Sequence, residues 1–118
     1  MNDAGMNTNI RSEWQATEPT LAQIEARSGP LLLEFGSPGC GHCLRAQPLV
    51  EQLLGERQPA VPHLKIADGP GRALGRSFKV TLWPTLVFLR DGKEVARLVR
   101  PRALEPLREA MTHLVTPA

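Results

Sequence analysis

Cys40-Gly41-His42-Cys43 is the stretch whose residue types and spacing point to chemistry. Two thiols separated by two residues on a helix lie one turn apart, close enough to close a small disulfide ring. A short apolar run, Leu31–Phe35, and a Gly36-Ser37-Pro38-Gly39 loop come just before the pair, and apolar residues at helical spacing follow it. Cys40 is therefore expected at a helix N-terminus. Unpaired N–H groups and the positive end of the helix dipole favour a thiolate there, lowering its pKa from a free value of about 8.5. Cys40 reads as the exposed attacking thiol and Cys43 as the recessed resolving thiol. His42, if protonated, would stabilise the thiolate further. Other uses of the pair fit less well. His63 and His113 are not at ligand spacing with each other, so a zinc site lacks its second half. Gly39 and Gly41 on either side of Cys40 argue for exposure and against inert packing. A structural disulfide would gain little from closing so short a loop.

The elements that must hold the pair can be read along the chain. Thr20 with Gln23 three residues on makes a capping box for a helix with Leu21, Ile24 and Ala22 on its apolar face, ended by Ser28-Gly29-Pro30. Leu31–Phe35 reads as a strand buried on both faces. From Cys40, the residues Cys43, Leu44, Gln47, Val50, Leu53 and Leu54 fall at helical spacing up to Gly55. His63–Ala67 is a second strand. Asp68 is expected to cap a short helix that has Pro70 near its first turn and turns Ala73, Leu74 and Phe78 inward. Thr85–Arg90 is a third strand. Asp91-Gly92 signals a hairpin to a return strand, Glu94–Val99. Arg102–Leu114 closes the chain as a helix with Leu104, Leu107, Met111 and Leu114 on one face. Strands alternating with helices predict parallel pairing, ended by the antiparallel hairpin. The fold class is α/β, with a mixed four- to five-stranded sheet between helices. Residues 1–19 read as a polar extension in which Trp14 suggests that Ile10–Ala16 docks as an edge strand, and 20–118 form the domain.

Composition excludes several alternatives. At 118 residues the chain fits one domain. An apolar share of 42% is too high for disorder, and two cysteines cannot staple a secreted scaffold. No apolar run is long enough to cross a bilayer, and the start of the sequence does not read as a secretory signal, so no membrane is expected and the expected location is cytoplasmic. Residues 72–118 carry nine basic residues against four acidic. These are scattered among Leu and Val with few aromatics, so they read as a solvated basic face and not as a nucleic-acid surface.

Between about Thr20 and Leu114 the sequence resembles the thioredoxin family. The resemblance rests on the strand Leu31–Phe35, Cys40–Cys43, Pro48 five positions later, Leu64-Lys65-Ile66, Trp83-Pro84-Thr85 and the Asp91-Gly92 turn. The dipeptide Gly41-His42 is similar to that of protein disulfide isomerases. The resemblance implies that Pro84 is cis and faces the cysteines, and that Gly41, His42, Trp83, Pro84 and Thr85 line a substrate groove. It also implies that Glu34 stands where the family has a buried acid, with Lys65 as its partner. Burial would raise the pKa of such a carboxyl, which suits a group that takes the proton of Cys43. Strand periodicity by itself leaves open an outward-facing Glu34. Gly36 and Gly39 occupy places where the family usually has tryptophan, and Trp83 stands where thioredoxins usually have Ile. Trp83 is either near the disulfide or in the core. The glycine common after the last strand is replaced near Arg100-Pro101.

The implied activity is thiol–disulfide exchange with disulfide-bearing proteins, part of cell redox homeostasis. It needs no metal, cofactor or nucleic acid, and it works as a monomer re-reduced by a partner such as thioredoxin reductase or glutathione. His42 is expected to place the potential above the value of about −270 mV typical of thioredoxin, because it stabilises the reduced, thiolate-bearing form. The rival reading is a thioredoxin-like binding or chaperone module with little redox turnover.

Overall fold

The computed structural model describes residues 14, 15 and 17–115. Their elements are β1 (Trp14–Gln15), α1 (Leu21–Glu25), β2 (Pro30–Gly36), α2 (Gly41–Gly55), β3 (His63–Ala67), α3 (Ala73–Ser77), β4 (Thr85–Arg90), β5 (Lys93–Val99) and α4 (Leu104–Val115). The strands form one mixed sheet in the order β1-β3-β2-β4-β5. β1 lies within the expected edge strand. Residues 10–13 and 16 of that expectation fall outside the described residues.

β2 is central, paired parallel to β3 and antiparallel to β4. It is buried on both faces because it carries apolar residues at successive positions, which only a strand covered on both sides tolerates. Its alternation divides the core in two. Leu32 turns to one face and packs with Leu86, Phe88 and the helices α2 and α4 through Val50, Leu53, Leu107, Met111 and Leu114. Leu31, Leu33 and Phe35 turn to the other face, with Ile66, Val87, Ile24 of α1 and Leu74 of α3. Each such side chain taken from water contributes about 1.5–3 kcal/mol, so leucines supply a core that contains few aromatics.

Several local expectations are corrected. β4 runs antiparallel to β2 although a helix precedes it. α3, the helix in the β3–β4 connection, has only five residues. Asp68 does not cap α3. Its N-cap position is Arg72, which makes no side-chain cap, and Glu18 Oε2 instead accepts from Ala73 N and Leu74 N at 2.9 and 3.0 Å. Ala73 is exposed, and Phe78 is half-buried with its ring centroid 5.7 Å from that of Phe35. Leu44 is 60% exposed, because Ala46 takes the inward position on α2. On α1 only Ile24 is buried, while Leu21 and Ala22 are exposed.

Other expectations hold. Thr20 and Gln23 form the capping box, and Pro48 lies inside α2. Asp91 and Gly92 both adopt positive φ, 52° and 78°, as a two-residue hairpin turn demands. Asp91 Oδ1 also accepts from Gly29 N at 2.7 Å, tying the hairpin to the start of β2. The Trp83–Pro84 and Gln58–Pro59 peptide bonds are cis, the second without any signal in the surrounding residues.

Candidate active site

Cys40 is the N-cap of α2, with extended backbone (φ −81°, ψ 117°), and its Sγ accepts a hydrogen bond from Cys43 N at 3.1 Å. The sulfur thus takes one of the orphan donors of the helix start, the place usually filled by a Ser, Thr or Asp oxygen. Both thiols are free, Cys40 half-buried and Cys43 buried. Burial pushes the Cys43 thiol up to about 12, helped by its hydrogen bond with Cys40 and the negative charges of Cys40 and Glu34. Cys43 is accordingly a protonated thiol at neutral pH.

The Glu34 carboxyl lies on the α2 face of the sheet and not on an outer surface. Leu32 and Glu34 of β2 stand in register with His63 and Lys65 of β3, so all four side chains share that face. Glu34 is 3% exposed and Lys65 and His63 each 6%. Glu34 Oε1 and His63 Nε2 are 2.9 Å apart, a buried hydrogen-bonded pair. The Lys65 ammonium sits 4.5 Å from the centroid of the Trp14 ring, a cation–π contact. The sequence pointed to Glu34 and Lys65 but treated His63 only as a failed zinc ligand. Its one available signal was its place two residues before Lys65, which puts it on the same side of the strand.

Gly36 explains how Trp14 enters the site. A Cβ built there would lie 2.5 Å from Cys43 Sγ and 2.8 Å from Trp14 Cη2. The missing side chain is the space in which the indole from β1 approaches the Cys43 thiol. Trp83 is half-buried, and its indole N–H donates to Asp68 Oδ2 at 3.0 Å. Pro84 and Thr85 are buried, and the Thr85 hydroxyl donates to Leu82 O at 2.6 Å. Gly41 and His42 are exposed on the first turn of α2.

The electrostatics around His42 differ from expectation. Arg100 is the main cause of a lowered His42 pKa, followed by desolvation and by Arg45 and Arg102. Like charge disfavours a second cation, so the neutral ring predominates at pH 7 and an imidazolium stabilising the thiolate is not supported. Arg45 Nη1 lies 3.3 Å from His42 Nδ1. His42, Arg45, Leu49, Arg100, Pro101 and Arg102 line a cavity of about 380 Å³ beside the motif. Arg100 has φ 51°, a left-handed conformation that costs a non-glycine residue about 1–2 kcal/mol. It is anchored to the Trp83–Pro84 segment, its backbone N donating to Pro84 O at 2.9 Å and its Nε to Trp83 O at 2.8 Å. Part of the basic second half is thus gathered at the site, which its scatter along the sequence concealed. Among the described residues no group of three or more His, Cys, Asp or Glu is placed to hold a metal.

With this geometry established, comparison with known proteins is specific. A family model described as Thioredoxin matches residues 14–113. The chain is similar to a thioredoxin domain-containing protein 5 homolog of Drosophila melanogaster, 32% identical over 111 residues that cover 92% of this chain and 26% of that protein. It is also similar to protein disulfide-isomerase A4 of Bos taurus, 40% identical over 68 residues, 55% of this chain and 11% of that protein. It thus spans about a quarter and about a tenth of the lengths of these two relatives. The solved structure of reduced thioredoxin 2 from Pseudomonas aeruginosa is 51% identical with a TM-score of 0.78, covering 88% of this chain and 95% of that one. The Cys40–Cys43 pair on this fold, together with these relatives, supports thiol–disulfide oxidoreductase activity.

Proposed function

Because the chain belongs to the thioredoxin family, we propose that it exchanges disulfides with protein substrates through Cys40 and Cys43. The observation that carries this reading is the division of labour at the start of α2. One sulfur is partly open and receives a backbone N–H, and the other is buried and holds its proton. Cys40 thiolate attacks a substrate disulfide, forming a mixed disulfide and expelling one substrate thiolate, which takes a proton from solvent. Cys43 then gives up its proton and attacks Cys40 Sγ. The Cys40–Cys43 bond forms, the mixed disulfide breaks, and the second substrate sulfur leaves as a thiolate, which takes a proton from solvent. Two electrons pass from the protein dithiol to the substrate disulfide.

Glu34 is the proposed acceptor of the Cys43 proton. Its charge acts on Cys43, and it shares the buried α2 face of the sheet with His63 and Lys65. A buried base is needed because water has little access to a thiol that is 4% exposed. Gly41, His42, Trp83 and Pro84 are the proposed contacts for substrate backbone. Thr85 acts from beneath them, holding the Leu82 carbonyl through its hydroxyl.

Family membership supports a need for a reductant; we propose that this is thioredoxin reductase or glutathione, and that the chain acts as a monomer in the cytoplasm. The test is reduction of insulin disulfides by wild type and by Cys40→Ser. Wild type should turn over and the variant should not. Equal rates, or no reduction by either, would refute the exchange reading and favour a binding module.

A further inference from the structure

The cavity beside His42 carries more positive charge than the exchange reaction itself requires. Arg45 comes from the second turn of α2, and Arg100 and Arg102 come from the segment joining β5 to α4. None of the three forms an ion pair with a carboxylate among the described residues, whereas Arg72, Arg97 and Arg108 each do. The charges act on one another's surroundings: together with desolvation they disfavour a proton on His42. The placement of Arg100 is a second observation, independent of the charge count. Its backbone adopts φ 51°, where glycine would be unstrained, yet a guanidinium stands there. Its Nε is fixed on Trp83 O. Among the described residues that is its only side-chain hydrogen bond, which leaves the terminal nitrogens as an unfilled fork. A planar fork matches a carboxylate with two parallel hydrogen bonds.

We propose that this cavity is a subsite for carboxylates, selecting peptide disulfides that carry Asp or Glu close to the cysteine presented to Cys40. His42 lines the cavity and is two residues from Cys40, so a segment attacked at Cys40 can place a neighbouring side chain there. Leu49 and Pro101 give the pocket an apolar wall, which suits the methylenes of an acidic side chain and lowers the local dielectric around the ion pair. A neutral His42 fits this role, since it accepts or donates a hydrogen bond without adding charge. The inference rests on the exchange reading above and adds a substrate class to it.

The test is single-turnover reaction of the pre-reduced protein with three synthetic peptide disulfides of equal length, whose cysteines are flanked by Glu, Gln or Lys. The second-order rate constant for the Glu peptide should exceed that for the Gln peptide by about tenfold at low ionic strength, with the Lys peptide slowest. The preference should shrink as salt is added. Arg102→Gln, Arg45→Gln and Arg100→Gly should each lower the Glu-to-Gln ratio. Arg100→Gly suits the positive φ and keeps the backbone N–H bond to Pro84 O, but it also removes the Nε bond to Trp83 O, so Arg45→Gln and Arg102→Gln carry the comparison. Wild type that reduces all three peptides at similar rates, or variants that keep the wild-type ratio, would overturn the subsite while leaving the exchange reading intact. Wild type that reduces none would overturn both. A preference shown toward glutathione disulfide but not toward the Glu peptide would also overturn the assignment to polypeptides.

Discussion

Gly36→Ala is the most direct test of how the resolving thiol is packed. The added Cβ would stand 2.5 Å from Cys43 Sγ and 2.8 Å from Trp14 Cη2, against an ordinary contact of 3.4 Å or more, so about 0.6–0.9 Å of displacement is required. Cys43 is held in the first turn of α2 by its N–H bond to Cys40, and β1 is a two-residue strand paired to β3. Trp14 should therefore be the side that yields. Inserting a methyl group into a packed site costs about 1–3 kcal/mol. Replacing glycine where φ is not positive returns about 0.4–1 kcal/mol through the unfolded state. The net expectation is about 1–2 kcal/mol of destabilisation, lowering the melting temperature of the reduced protein by about 5–10 °C. Thermal unfolding followed by circular dichroism measures it, and the emission of Trp14 in a Trp83→Phe background reports the ring's displacement. In the Gly36→Ala background, Trp14→Leu should cost at least about 0.5 kcal/mol less than it does in wild type, because the smaller side chain vacates the contested space. A Gly36→Ala protein as stable as wild type, or strictly additive single and double variants, would refute the close approach of Trp14 to Cys43.

Other expectations follow from the same structure. Cys43 has a folded pKa raised to about 12, so above the unfolded value the folded state holds a proton that the unfolded state releases, and stability falls as pH rises from about 9 toward 12. Denaturant midpoints of the reduced protein across that range should show a steeper loss than those of Cys43→Ala. The His42 ring should titrate below the usual histidine value in an NMR pH series, and Arg100→Gly should move that titration upward, since the leading like charge is gone. His63→Leu leaves Glu34 without its 2.9 Å partner and should destabilise the protein by about 3 kcal/mol, measured by urea unfolding. Single-turnover release of the mixed disulfide should slow in the same variant. Glu18→Ala removes the acceptor of two α3 N–H groups and should cost about 1 kcal/mol in the same unfolding assay, the typical loss of a helix cap.

The chemistry and much of the frame were legible in the chain because they are local. A thiol, two residues and a second thiol at a helix start form a unit whose geometry is set by one turn of backbone, and Cys40 and Cys43 adopt it. The double-sided strand at Leu31–Phe35, the capping box at Thr20 and the Asp91-Gly92 hairpin depend on neighbours within a few residues, and all three are present. Tertiary structure decided what surrounds the thiols. His63 meets Glu34 because the β2–β3 register sets it opposite Leu32, one same-face step along from Glu34, and register is a property of two strands together. Trp14 reaches Cys43 through the space of a side chain that Gly36 lacks, a contact that exists only once β1 is laid on β3. Arg45, Arg100 and Arg102 read along the chain as scattered charge, and the packing of α2 beside the β5–α4 segment gathers them into one cavity. Spacing along a chain determines what lies within a turn or a strand, whereas the charge, exposure and packing of a site are sums over segments that only the fold brings within a few ångströms.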